Sequence, residues 1–505
     1  MRNSIILLIL LIFFAGGCIQ KETHSGEYAI SEKIIDNNIN LSSWIPESLK
    51  VSPDSRRVAY FVYQQNINKY FVVVDGVSGK SYVGMGIETL IFSPDSKRFA
   101  YVVKNDNNTF VVVDGKEEKQ YDGIGKGNFN FSPDGKRLVY VAIKGEKIIV
   151  VVDGKEEKLY DNIAYDSLII SPDSNHVAYQ ASDGRKWFLV VDGKEEKEYD
   201  YTLGRRPFFS SDSKRTIYAA VEGDKQFVVV DGKEQKKYDG IADNTFIFSP
   251  DGKRVAYQAM KSDKWIIVVD GKEGKEYEGL TPPFFSPDSS HVVYGAHSGN
   301  KEFLVLDGIE GKSYDGIERD TLIISPDSNR TAYAVFEGNK QFVVADGREG
   351  KKYDDIKNFS LIFSPDSKRV AYAAIDADKQ FVVVDGKEQN QYDGIGRGSI
   401  IFSPDSKRVA YLAKRNETWF VVVDGKEDKE YNGFRGTVFS PDSRHVVYGA
   451  QSDKEQFIVV GGKEGKRYQG ILIPPEGKII FDSPDSIHYL ALKDNFILSV
   501  DEKIE

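Results

Sequence analysis

The residue types that most often carry catalysis are scarce in this chain. It has six His and one Cys among 505 residues. His176, His291 and His445 share one repeated position, where other copies of the repeat have Arg. We interpret that position as structural, because a nucleophile needs an adjacent base held by a third group, and no such Ser-His-Asp or Cys-His device is visible. The sequence therefore predicts no catalytic residue, no metal site and no cofactor.

Two recurrent motifs resemble ligand loops without meeting their requirements. Asp-Gly pairs such as Asp385-Gly386 lack the D-x-D-x-D-G spacing of calcium loops, so we interpret them as turns. Gly125-Lys126-Gly127 and Gly396-Arg397-Gly398 look like phosphate loops, but each leads into a predicted strand and not into a helix N-terminus.

Three tryptophans are candidates for ligand contact. Trp187, Trp265 and Trp419 share the predicted start of a strand, where sister copies have Gln226 or Gln380. A position that accepts Gln is expected to be partly exposed, and an exposed aromatic ring can stack on a sugar or anchor a protein partner. The alternative is packing between neighbouring repeats.

Basic residues form a second candidate set, predicted to lie in loops on one rim of the fold. Such a rim on an acidic protein would attract carboxylates or anionic polymers. The alternative is ordinary loop charge, since Asp166, Asp243 and Asp320 are predicted on the same rim. The basic residues predicted on this rim are Lys126, Arg205, Arg206, Arg319, Arg397 and Arg435, and all of them except Arg319 are candidates for ligand contact.

A repeat must position these residues. The phrase S-P-D-S-K-R-V-A-Y, followed by F-V-V-V-D-G-K-E, recurs twelve times, mostly at a spacing of 39 residues and twice at 37. This period, with several short strands in each unit, is typical of a β-propeller blade. The turn aspartates are Asp54, Asp95, Asp134, Asp173, Asp212, Asp251, Asp288, Asp327, Asp366, Asp405, Asp442 and Asp485.

Each repeat is predicted to form four strands, a to d, and to make an all-β fold. In the third repeat we expect strands at residues 128–132, 137–143, 147–152 and 157–163. Strands b and c are apolar throughout, as burial on both faces requires, and strand d is charged, as an outer edge should be. The turn between c and d falls either on the Asp-Gly pair or on a Glu-Gly pair four residues later.

The motif resembles the repeat of TolB-type, WD-like β-propellers over residues 30 to 505. Eleven of the twelve copies keep Ser-Pro-Asp, with Ser211 replacing Pro in the fifth. The resemblance implies the fold and no particular activity. TolB has an additional α/β domain that these repeats do not include, so its partners are not carried over. Related propellers precede hydrolase domains, but no G-x-S-x-G elbow is present here.

Twelve blades exceed the usual four to eight in one ring. We expect two six-bladed rings, residues 27–280 and 281–505, divided near Thr281-Pro282-Pro283; the alternative is one twelve-bladed ring. The last repeat lacks strand d, and residues 32–37 match the strand d at 157–162. Residues 27–37 are therefore predicted to complete the last blade.

The N-terminal residues predict where the protein is located in the cell. Residues 1–18 have a positive start, an apolar run and the lipobox-like Ala15-Gly16-Gly17-Cys18, so Cys18 is expected to carry lipid. Residues 19–26 form a polar tether, and the formal net charge of −10 opposes nucleic-acid binding. Which membrane or leaflet holds the anchor stays open.

These expectations combine into a lipid-anchored, non-catalytic module of the cell envelope, outside the cytoplasm, that binds an envelope protein or a glycan. One alternative is a hydrolase or lyase with its site at the channel mouth. The other is a structural component of a surface layer.

Overall fold

A computed structural model describes residues 23–25, 28–37, 43–106, 108–318, 320–472 and 479–504. In this part of the chain the protein is all-β, with twelve antiparallel sheets and two 3-10 turns, Pro46–Ser48 and Ile87–Thr89. Each sheet is one blade, numbered 1 to 12 from the blade that begins at Lys50. The predicted signal, Cys18 and most of the tether lie outside the described residues.

The strands follow one order in every blade. In blades 1 to 11 the chain runs through a, b, c and d in turn, and a is often split into two short segments. Strands a are Lys50–Val51, Gly84–Met85 with Ile91–Phe92, Gly123–Phe131, Asn162–Ile163 with Ile169–Ile170, Tyr201–Phe209, Gly240–Ile241 with Ile247–Phe248, Gly279–Leu280 with Phe284–Phe285, Gly316–Ile317 with Ile323–Ile324, Asp355–Ile356 with Ile362–Phe363, Gly394–Ile395 with Ile401–Phe402, Gly433–Phe439, and Gly470–Leu472 with Ile480–Ser483. Strands b are Val58–Gln64, Phe99–Asn105, Leu138–Lys144, Val177–Ser182, Thr216–Glu222, Val255–Lys261, Val292–Ser298, Thr331–Glu337, Val370–Asp376, Val409–Arg415, Val446–Ser452 and Ser486–Lys493.

The outer half of each blade is the c–d hairpin. Strands c are Lys69–Val74, Asn108–Val113, Lys147–Val152, Trp187–Val191, Lys225–Val230, Lys264–Val269, Lys301–Leu306, Lys340–Ala345, Lys379–Val384, Thr418–Val423, Glu455–Val460 and Phe496–Lys503. Strands d are Val77–Tyr82, Lys116–Tyr121, Lys155–Tyr160, Lys194–Glu195, Lys233–Glu234, Lys272–Glu273, Ile309–Tyr314, Arg348–Glu349, Lys387–Glu388, Lys426–Tyr431, Lys463–Glu464 and, in blade 12, the N-terminal Tyr28–Asp36. Thr23–Ser25 adds a further strand outside Tyr28–Asp36.

The predicted boundaries of the third repeat were wrong at strands a and d. Strand a runs from Gly123 to Phe131, and strand d begins directly after the Asp-Gly turn, at Lys155. Residues 162–163, predicted as the end of d, already begin strand a of blade 4. The charged run alone does not show where d ends, because d and the next a are joined by a very short connection.

The blades form one closed ring. Each of twelve apolar clusters joins two successive blades, and Ile267 of blade 6 packs with Val305 of blade 7 as in every other pair. Tyr60 of blade 1 packs with Leu490 of blade 12, which closes the circle. The prediction of two six-bladed rings is therefore wrong. The spacing shortens near residues 281–283 because strand a of blade 7 has a shorter interruption, while the stack of blades continues.

The predicted closure by the N-terminal segment is confirmed. Strand Tyr28–Asp36 pairs antiparallel with Phe496–Lys503 and so supplies strand d of blade 12. Glu32 accepts bonds from Lys466 Nζ and Tyr468 Oη, both at 2.8 Å, and Asp36 accepts one from Tyr60 Oη at 2.6 Å. A bulge between Ile34 and Asp36 interrupts the register of this pairing.

A repeated polar network, here called the clasp, ties most blades to the next. It consists of the Ser-Pro-Asp turn, the Arg or His that follows it and the Asp of the Asp-Gly turn. Arg330 Nε donates to Asp346 at 2.8 Å, and its Nη1 donates to the carbonyl oxygens of Ser367 and Lys368 in the next blade at 2.9 and 2.7 Å. Asp346 and Gly347 have φ of +51° and +73°, so the c–d turn is type I′ on Asp-Gly.

Candidate binding site in the seams between blades

Strand a, the inner strand of each blade, departs most from the common pattern. In most blades it is interrupted by a turn whose Ser or Thr replaces the missing strand pairing. Thr321 Oγ1 donates to the Glu318 carbonyl at 2.7 Å and accepts from the Ala334 N–H at 3.0 Å. The residues in this role are Ser48, Thr89, Ser167, Thr245, Thr321, Ser360 and Ser399. The residues between the two segments of strand a differ from blade to blade.

The basic candidates all lie in these variable segments of strand a. Lys126, Arg205 and Arg206 lie within the bulged strands a of blades 3 and 5, with the side chains of Lys126 and Arg205 outside the described part of the structure. Arg435 lies in the bulged strand a of blade 11, and Arg397 lies in the turn of blade 10. They therefore belong to the inner strand and not to the loops that connect blades. Because they are distributed over four blades, the structure does not gather them into one cluster.

Two of these arginines have partners among the described residues. Arg206 forms an ion pair with Asp166 at 3.5 Å, and the Arg397 guanidinium lies 4.3 Å from the ring centroid of Phe359. Phe359 has φ +59° at a turn position that is Asp320 in blade 8. An exposed aromatic residue in this left-handed conformation is strained, and such strain concentrates at functional sites.

The three tryptophans lie at the seams. A seam is defined here as the space between two neighbouring blades, bounded by the face that strands a to c of one blade form and by strand a of the next blade. Trp187, Trp265 and Trp419 are half-buried at the first positions of strand c. At the same register Gln380 Oε1 accepts the Ile395 N–H of the next blade at 2.8 Å, and Gln226 makes the equivalent bond. The position thus faces the neighbouring blade, which is the geometry of the packing alternative.

The seam between blades 7 and 8 is open. It contains a cavity of about 710 Å³, whose acidic residues are Glu302, Glu318 and Asp320. Glu302 occupies the same register position as the tryptophans and accepts the Ile317 N–H at 2.8 Å. The cavity is lined by Gly279, Leu280, Thr281, Pro282, Phe284, Gly295, Ala296, His297, Glu302, Ile317, Glu318, Asp320 and Leu322.

Two changes in blade 7 accompany this cavity. Only three residues, 281–283, separate the two segments of its strand a, whereas five, 242–246, separate those of blade 6. Strand b then has Gly295 opposite the shortened segment, and a Cβ there would meet Thr281 Cγ2 at 3.0 Å. The glycine therefore lets Thr281 of the shortened strand a lie close to strand b, and both residues line the cavity.

Blade 11 repeats the arrangement. It is the other blade preceded by a 37-residue spacing, it has Gly449 at the position of Gly295, and its seam with blade 12 holds a cavity of about 180 Å³. Arg435 and Gln456 stand there where blade 7 has Thr281 and Glu302. The sequence signal that could have located both cavities is the short spacing together with V-V-Y-G-A in strand b.

The seam between blades 9 and 10 is filled by a side chain of its own. Lys357, at the register of Thr281, is half-buried and its Nζ donates to Gln380 Oε1 at 2.8 Å and to the Ile395 carbonyl oxygen at 2.9 Å. Burial lowers the pKa of Lys357, and the nearby Asp355 carboxylate partly opposes that shift. The seam therefore accommodates an amino group between two blades.

In the described part of the chain, no group of three or more His, Cys, Asp and Glu side chains is placed to hold a metal ion. The same residues include no helix with the length and apolarity to cross a membrane.

The fold and its seams define the protein as a twelve-bladed β-propeller. No protein-family model matches the sequence, and no curated protein matches it. Among solved structures it is similar to a eukaryotic initiation factor, at 12% identity and TM-score 0.34, over 74% of this chain and 96% of that one.

Two further solved structures match with lower TM-scores. TolB from Acinetobacter baumannii matches at 18% identity and TM-score 0.23, over 52% of this chain and 77% of its own. Hydrazine synthase from Kuenenia stuttgartiensis matches at 14% identity and TM-score 0.24, over 59% of this chain and 94% of its own. Scores this low carry no argument about family or function, so the TolB-type resemblance stays an expectation from the motif.

Proposed function

We propose that this protein is a non-catalytic binding scaffold of the cell envelope, anchored to a membrane through lipid on Cys18. The repeated parts of the blades are used for interactions within the ring, and the inner strand and its seams vary from blade to blade. A binding protein needs such a varied surface on a rigid support.

The observation that carries the proposal is the open seam between blades 7 and 8. Its volume of about 710 Å³ falls within the range of ligand pockets, and it combines apolar walls with a few polar groups. The exposed Phe359 and Arg397 on the inner strands of blades 9 and 10 add a second kind of contact surface. Envelope proteins or glycans are the ligands that we propose.

A binding screen tests the proposal. The full chain, purified in detergent, is screened against glycan, peptide and envelope-protein arrays, together with a Phe359→Ala, Arg397→Ala variant. We expect the full chain to bind ligands in this screen. Ligands that the variant no longer binds, while its thermal unfolding stays cooperative, are assigned to Phe359 and Arg397. Ligands that the variant still binds are candidates for the 7/8 seam. Failure of the chain to bind any of the three classes would contradict the proposal.

The anchor is tested separately. Cys18→Ala should release the protein from the membrane fraction, because no thioether-linked lipid can form without the thiol. Persistence of the variant in the membrane fraction would show that the lipid anchor is wrong while leaving the binding proposal intact.

A further inference from the structure

Lys357 shows what kind of group a seam can hold. Its Nζ is held by acceptors from two different blades, the side-chain amide oxygen of Gln380 and the carbonyl oxygen of Ile395. An ammonium group is a compact charge with three donors, so two acceptors converging from opposite sides match it well. The 9/10 seam is in effect an ammonium site that the chain occupies with its own lysine.

The 7/8 seam has the same acceptors without the lysine. Glu302 stands at the position of Gln380, Ile317 at that of Ile395 and Thr281 at that of Lys357, as the strand registers show. The substitution of Glu for Gln replaces a neutral amide oxygen by a carboxylate, which attracts a cation more strongly. The site is thus better suited to an ammonium group than its filled counterpart.

The surrounding charge and surface agree with this comparison. Glu318 and Asp320 also line the cavity, and neither has a polar side-chain partner among the described residues, although most carboxylates of the repeats are paired. Among the described residues that line the cavity, none is Lys or Arg. Leu280, Pro282 and Phe284 provide an apolar wall beside the acids.

We propose that the seam between blades 7 and 8 binds a primary ammonium group carried on an apolar chain, with Glu302 and the Ile317 carbonyl oxygen as its acceptors. The lysine side chain of a peptide and a free alkylamine share this chemistry. The inference rests on the proposed binding function and names the class of ligand that this site takes.

Calorimetric titration of the full chain in detergent tests the inference. The probes are acetyl-Leu-Lys-Leu-amide, the same peptide with norleucine for lysine, and hexylamine. We expect binding of the lysine peptide, of hexylamine or of both, and at least about tenfold weaker binding of the norleucine peptide. A peptide-only result identifies a protein ligand, and an amine-only result identifies a small molecule.

Two variants isolate the site. Glu302→Gln keeps the bond to the Ile317 N–H, as Gln380 does to Ile395, and should raise Kd about tenfold because only the charge is lost. Thr281→Lys should abolish binding by filling the seam as Lys357 does. Asp224→Asn, which removes an exposed charge outside the cavity, is the control and should leave Kd unchanged.

Absence of binding by both cationic probes, or an unchanged Kd in both seam variants, overturns the inference. If the wider screen nevertheless finds glycan or protein ligands in that case, the proposed scaffold function stands and only the ligand class of this seam is wrong. Thermal unfolding of each variant confirms that the ring is intact.

Discussion

The clasps and the inner strands of this ring have opposite characters. The Ser-Pro-Asp turns, their Arg or His residues and the Asp-Gly turns repeat around the ring with nearly constant geometry. The inner strands alternate between Ser or Thr turns, bulges and shortened segments. In a ring of near-identical blades, uniform positions hold neighbours together, and positions that depart from uniformity are free to recognise a ligand.

Blade 12 shows the role of the uniform contacts most clearly, because its outer strand comes from the other end of the chain. Ile30 and Asp36 are buried in the closing sheet, and Asp36 replaces the acidic residue that accepts a Tyr hydroxyl in other blades. Closure therefore reproduces the repeated contacts with residues of different sequence. Stability should depend on the closing strand and the clasps, and binding on the seams.

Removal of the closing strand is expected to have the largest effect. A chain lacking residues 1–37 exposes the edge of strand Phe496–Lys503 and leaves Tyr60 and Tyr468 without their carboxylates. With the lost burial of Ile30, we expect a destabilisation of at least about 5 kcal/mol. Thermal unfolding measures it against a chain that begins at residue 23, and equal midpoints would show that closure is not needed.

Glu502 in the closing sheet predicts a pH dependence. Its carboxyl is buried, Tyr489 Oη donates to it at 2.9 Å, and burial raises its pKa from 4.5 to about 7. Between these values the folded protein holds a proton that the unfolded chain has released, so stability should fall as pH rises through this window. The fall should be about 1–3 kcal/mol.

Chemical denaturation at pH 5 and pH 8 checks this dependence on Glu502. Glu502→Gln keeps a neutral side chain of the same shape, so the variant should be more stable than the parent at pH 8 and should lose most of the fall. An equal fall in parent and variant would place the pH dependence elsewhere.

Loss of one clasp should have an intermediate effect. Arg330→Ala removes three bonds, one within its blade and two to the next, and should cost about 2 kcal/mol. Arg348→Ala is the control, because Arg348 is exposed and makes no side-chain polar contact among the described residues. Peptide binding at the 7/8 seam should be unchanged in both variants. A loss of binding without a loss of stability would break the division between clasps and seams.

Restoring the missing clasp in blade 11 should have the smallest effect. Gly461 stands there in place of the clasp Asp, at φ +54°, and a Cβ would lie 3.3 Å from His445 Nδ1. Gly461→Asp should stabilise the protein by about 0.5–1 kcal/mol, as an acceptor for His445 and the Val446 N–H. Gly461→Ala adds the same Cβ without the carboxylate. An equal gain of stability in the Gly461→Ala variant would exclude the clasp as the cause.

The sequence predicted the parts of the fold that depend on the repeat itself. The twelve blades, the apolar strands b and c and the closing segment follow from one recurring motif and its incomplete last copy. Ring number was mispredicted, because a spacing change marks a shorter strand as readily as a boundary, and only the packing of Ile267 against Val305 distinguishes them.

Less of the candidate site could be predicted from the sequence. The tryptophans were singled out because aromatic residues are conspicuous, whereas Glu302 at the same register is an ordinary charge until its neighbours are known. The cavity lies where strand a of blade 7 is two residues shorter and where strand b has Gly295 against Thr281. These changes leave the composition almost unaltered, so the only mark of the cavity in the sequence is the short spacing together with V-V-Y-G-A in strand b.

The most direct test of the division between clasps and seams is hydrogen–deuterium exchange of the full chain with and without acetyl-Leu-Lys-Leu-amide. The account predicts added protection in residues 279–302 and 317–322, around the 7/8 seam, and none at the Ser-Pro-Asp turns. Protection confined to the turns, or spread evenly around the ring, would contradict it.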